Sequence, residues 1–75
     1  MVLGYVQKTI AEKIGVEKPK EISLEFSFVE DKRMNEDEFF SMLEDLEEEM
    51  QIDLVDYAWK FETVKQLVDY INRHK

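Results

Sequence analysis

The sequence contains no cysteine. Disulfides and thiolate metal sites are therefore excluded, and the chain suits a reducing compartment, so a cytoplasmic location is expected. It has one histidine, His74. With Arg73 and Lys75 beside it, His74 reads as a complement to a helix C-terminal dipole and not as a general base. No apolar run approaches the roughly 20 residues needed to cross a bilayer, so no membrane insertion is expected. The opening residues "MVLGYVQKTI" show no charged region ahead of a long apolar run, and no signal peptide is expected.

The most pointed absence is of positive charge. Between Met34 and Trp59 there is no Lys or Arg, while ten carboxylates occur there. The whole chain has 18 acidic and 10 basic residues and a net charge of −8, so everything outside that segment is net positive. A face this acidic repels nucleic acid and anionic membrane, and it speeds encounter with basic protein surfaces. No D-x-[DN]-x-[DN]-G loop accompanies the carboxylates, so no metal site is expected from them.

What is present fits one domain spanning residues 1–75. A chain of this size buries only about 60% of its unfolded surface. Hydrophobic residues make up 44% of it, enough for a single core. Leu3, Val6, Ile10 and Ile14 fall at helical spacing from Val2 to about Ile14, and Gly15 sits where a left-handed cap is expected. "VEKPKEISLEFSFVED" follows without helical period. Its alternating Ile22, Leu24, Phe26 and Phe28 resemble a strand, but no second strand exists to pair with it. It is expected to be a long ordered loop, with Phe26, Phe28 and Val29 plugging one end of the core.

A second helix starts after Asn35, an N-cap residue with Glu38 three positions on as in a capping box. Glu36, Asp37 and Glu38 fill its first turn, where the dipole favours anions. Phe39, Leu43, Leu46 and Met50 make its apolar stripe, widened by Phe40. A short helix is expected from Leu54 to Lys60, burying Tyr57 and Trp59. Thr63 caps a last helix running to about Arg73, with Val64, Leu67, Val68 and Ile71 inward and Tyr70 at the edge. The expected fold is all-α: a small four-helix bundle with a long loop between the first two helices and a short third helix.

Four strings, "IAEKIGV", "ISLEFSFVED", "LEEEMQIDL" and "TVKQLVDYIN", occur in an order that resembles the acyl carrier proteins. The similarity covers about residues 7–72. The resemblance implies an acyl-carrier-protein-like bundle. It also implies a phosphopantetheine arm on a serine of a D-S-L triplet at the start of the second helix, where partner enzymes dock. In ungapped register the attachment serine falls on Glu36, the leucine after it on Asp37, and the family's glycine on Arg33. Glutamate has no hydroxyl to attack coenzyme A, so no phosphopantetheine is expected at the usual site. Positions near Asp37 and Glu44, apolar where family partners grip, are acidic here.

The chain is therefore expected to be no enzyme. It reads as an acidic, monomeric interaction module of lipid, polyketide or related biosynthesis, docking on the basic surface of a synthase or acyltransferase. Its candidate docking residues are Glu36, Asp37, Glu44, Asp45, Glu47 and Glu48. Lys32 and Arg33 are placed to pair with Glu36 or Asp37. Two alternatives stay open: a working carrier modified at Ser41, the serine nearest the family's site, and a small acidic inhibitor or immunity-type protein. Trp59, Phe39 and Phe40 read as core.

Overall fold

In the computed structural model, residues 2–75 are described. Helix α1 runs Val2–Ile14, α2 Glu36–Met50 and α3 Val64–His74. Two 3-10 helices lie between them, Pro19–Glu21 in the long loop and Val55–Lys60 ahead of α3. The architecture is a small all-helical bundle, 28 × 23 × 20 Å. α1 packs against α2, α3 and the first 3-10 turn, and the second 3-10 helix packs on α2.

The starts of α2 and α3 and the end of α1 fall where their residues dictate. Asn35 accepts from the Glu38 backbone at 2.8 Å while the Glu38 side chain accepts from Asn35 N at 2.9 Å. This closes a capping box and satisfies two N–H groups that a helix start leaves orphaned. Thr63 and Gln66 repeat the device at α3. α1 ends at Gly15 with φ of +77°, a conformation glycine adopts without a Cβ clash.

The long loop is fastened to the start of α3. Phe26 O accepts from Val64 N at 3.0 Å and Leu24 O from Lys65 N at 2.9 Å. Phe28 N returns a bond to Glu62 O at 2.8 Å. Among the described residues, strand pairing is limited to one isolated bridge, Ser27 with Thr63. The backbone of "ISLEFSF" thus finds its partners in a helix N-terminus, without a sheet. Ser27 Oγ accepts from Val29 N and Glu30 N and holds the turn that follows.

Val6, Ile10, Ile22, Leu43, Leu46, Leu54, Leu67 and Ile71 make the centre of the core. Several expectations about its margin are corrected. Val29 is 71% exposed and plugs nothing, while Phe26 is buried. Trp59 is 77% exposed, and Tyr57 and Phe40 are on the surface too. Phe39 is half-buried against the core. Tyr70 is buried, not at the edge, packed by Phe61 and stacked on His74. Met42 joins the buried face of α2. The reason lies in the second 3-10 helix. It has no buried residue of its own and is kinked at Tyr57. Leu54 and Phe61 at its two ends fill the core in place of Tyr57 and Trp59.

Candidate functional site

The junction from Phe28 into α2 concentrates the chain's unusual features. Met34 is buried and anchors it. Asn35 turns the backbone into the helix, leaving Glu36 and Asp37 exposed in the first turn. Lys32 and Arg33 were expected to face these acids. Arg33 turns the other way. Its Nε and Nη2 donate to the two oxygens of Asp31 at 3.0 and 2.8 Å, and its backbone N donates to Asp31 Oδ1. The guanidinium also sits 5.5 Å from the centre of the Phe26 ring. The hydrogen bonds from Arg33 hold the Asp31 carboxyl below its ordinary range.

On α2, residues 37, 44 and 48 lie on one face of the helix. Asp37, Glu44 and Glu48 are all exposed, and none of them makes an ion pair among the described residues. The other candidate acids have duties inside the molecule. Asp45 is paired with Lys13 of α1 at 2.8 Å. Glu47 Oε2 accepts from Leu54 N at 2.6 Å and Val55 N at 2.7 Å. Glu47 thereby caps the start of the second 3-10 helix. Nothing in the spacing of the sequence announced that duty.

None of the first-turn residues of α2, Glu36, Asp37 and Glu38, carries a hydroxyl. Glu36 occupies the start of α2. Ser41 is half-buried about a turn and a half further on, and its Oγ accepts from Lys13 Nζ at 2.8 Å. His74 Nδ1 lies 3.2 Å from Tyr70 O with its ring stacked 4.1 Å from the Tyr70 ring, a helix-end contact with no acid–base partner. Among the described residues, no three His, Cys, Asp or Glu side chains are grouped so as to hold a metal ion.

The sequence reading missed an apolar groove beside Glu36. Rings run outward from the core to its wall: Phe26, Phe28, Phe39 and Phe40, with successive centroids 5.8, 5.0 and 5.4 Å apart. Trp59 and Val29 line the same hollow as Phe40, and its volume is about 520 Å³. No local signal in the sequence marks this groove, because its lining comes from the loop, α2 and the second 3-10 helix.

No family model matches the chain. Among the described residues, no helix is long and apolar enough to cross a membrane.

Proposed function

We propose that this chain is an acyl-carrier-like module without a prosthetic arm. It acts by docking on the basic surface of a synthase or acyltransferase in lipid, polyketide or related biosynthesis, and it performs no catalysis. The observation that carries this reading is the exposed stripe of Asp37, Glu44 and Glu48, unneutralised on the helix that begins with Glu36. Carboxylates held in one row steer a basic partner into register and reject acidic competitors.

Other observations support it. The order of elements agrees with the carrier-like bundle that the four strings suggest. Ser41 is bound by Lys13, which argues against an arm displaced to that position. The lack of cysteine fits a reducing, cytoplasmic setting.

Incubation with coenzyme A and a broad-specificity phosphopantetheinyl transferase, read by intact mass, tests the arm. The expected mass is unchanged, and a single added arm overturns the reading. Docking is tested by the Glu44→Lys, Glu48→Lys double variant. It should lose a carrier-dependent synthase that the parent chain retains, and equal retention sinks the docking role.

A further inference from the structure

Val29 and Trp59 are the two most exposed large apolar side chains among the described residues, at 71% and 77%. They come from separate segments, the long loop and the second 3-10 helix, yet both line the groove that Phe40 lines too. Isolated exposed apolar residues are ordinary, whereas a grouped set around a concavity marks a contact surface. Trp is also the side chain that most often anchors interfaces.

The charges around the groove restrict its occupant. Its only charged lining residues are Glu36 and Glu62. Lys60 follows Trp59 in the chain, with its ammonium 5.5 Å from the Trp59 ring centre. It is also 5.3 and 5.7 Å from the rings of Tyr57 and Tyr70, and it lines the neighbouring hollow instead. A ligand with an anionic head would meet two carboxylates. A second copy of this chain would bring its own −8 charge. A cationic occupant is attracted by both carboxylates and meets a like charge only on the Trp59 side, at Lys60.

The groove is also continuous with the acidic stripe. On a helix surface a residue's neighbours lie three and four positions away. For Phe40 those positions include Glu36, Asp37 and Glu44. An apolar group seated against Phe40 therefore has carboxylates on both sides along α2. The space of about 520 Å³ lies within the range of sites that bury a whole ligand or several side chains. An apolar groove is the receptor for the apolar face of an amphipathic helix, and the carboxylates beside this one complement bases flanking such a face.

We propose that this groove takes the apolar face of a basic amphipathic helix. Phe40, Val29 and Trp59 contact its apolar anchors, and Glu36, Asp37 and Glu62 face its Lys or Arg residues. This rests on the docking reading above and names the partner's contact element.

Trp59 is the only tryptophan and reports on its own burial. The probe is a designed leucine–lysine amphipathic helical peptide without tryptophan. Its control is an alanine–lysine peptide of equal charge. The leucine–lysine peptide should shift Trp59 emission to the blue with one-to-one saturation, and the control should not. Equal shifts from both peptides overturn the groove. Val29→Glu decides between apolar contact and bulk charge because the two predict opposite signs. Adding an acid tightens a purely electrostatic complex, whereas loss of the apolar wall should weaken binding about tenfold or more. Tighter or unchanged binding overturns the proposal. Val29 is exposed, so the variant is expected to fold. Trp59→Ala read by calorimetry gives a second measurement, with weaker binding expected and unchanged binding counting against the groove. A stronger shift with a fatty acid below its micelle concentration, or concentration-dependent dimerisation that buries Trp59, also overturns it. If Val29→Glu weakens the peptide while Glu44→Lys, Glu48→Lys does not, the groove stands and the stripe reading falls. The reverse removes the groove alone.

Discussion

The carboxylate of Glu47 in α2 holds the backbone N–H of Leu54, seven residues on, at 2.6 Å, and that of Val55 at 2.7 Å. Leu54 is fully buried, so this acid of the most acidic helix is a structural part of the core's margin. Glu47→Ala leaves a buried donor without a partner, at a cost of about 1–3 kcal/mol. That corresponds to a fall in melting temperature of several degrees in a domain this small. Glu47→Gln keeps an oxygen acceptor and should lose less. Removing one charge from a −8 chain relieves repulsion and works in the opposite direction. Thermal unfolding of both variants checks the order: parent, then Gln, then Ala. An Ala variant as stable as the parent would exclude the capping role.

A second expectation concerns acid. Hydrogen bonds from the Arg33 side chain and then its backbone lower the Asp31 pKa from 3.8. A depressed carboxylate contributes stability that is fully present above its unfolded pKa, about 3.9. The contribution fades as pH falls through the folded value. Asp31→Asn keeps the oxygen that caps Arg33 N and removes the charge. The gap in melting temperature between parent and variant should therefore be widest near neutrality and shrink as the pH falls below the unfolded carboxylate range. A gap that stays constant across that range would mean the charge contributes nothing. The pair is exposed on the Arg33 side, so the effect is expected to be small and salt-sensitive.

Gly15 offers a test of backbone alone. Its φ is +77°, and a Cβ built there meets no atom within 4 Å. Gly15→Ala thus removes no contact and creates no clash, yet it forces an L-residue into the left-handed region. The expected loss is about 1 kcal/mol. Chemical denaturation should show a lower midpoint with an unchanged slope. A loss much above that would point to distortion of α1 itself.

The long helices were legible in the sequence because several signals coincided in each. Asn35 with Glu38, and Thr63 ahead of Val64, are start signals with a hydrogen-bonding reason. Gly15 is a stop signal with a conformational one, and the 3.6-residue period assigned the inner faces. Phe40 was misassigned because it lies at the rim of a stripe, where the period does not discriminate. The second 3-10 helix defeated the reading for a different cause. Six residues with a kink at Tyr57 show no period, so bulk and aromaticity were the only clues. They pointed inward for Trp59, which the structure exposes. Glu47 and Arg33 were illegible because their partners are set by tertiary placement. A carboxylate seven residues before Leu54 has no local signature, and Arg33 had acids at similar distance on either side. The groove beside Glu36 required the loop and the 3-10 helix to meet in space.

The start of α2 permits a gain-of-function experiment on the carrier reading. The bundle supplies a capped, exposed helix start at Asn35 and Glu36. Under the proposed reading, what that start lacks is the D-S-L triplet, whose register would fall on Asn35, Glu36 and Asp37. Asp is as good an N-cap as Asn, so Asn35→Asp should preserve the capping box. Glu36→Ser and Asp37→Leu give up two first-turn acids, each worth about 0.3–1 kcal/mol to the helix dipole. The triple variant should therefore stay folded, with a slightly lower melting temperature. Under the proposed reading it gains one phosphopantetheine when incubated with coenzyme A and a broad-specificity transferase, while the parent chain gains none. Proteolysis and mass mapping should place the arm on the new serine and leave Ser41, held by Lys13, unmodified. A folded triple variant that stays bare would show that the helix start is not carrier-like in the way its register suggests. An arm found on Ser41 in the parent chain would return the molecule to the ranks of working carriers.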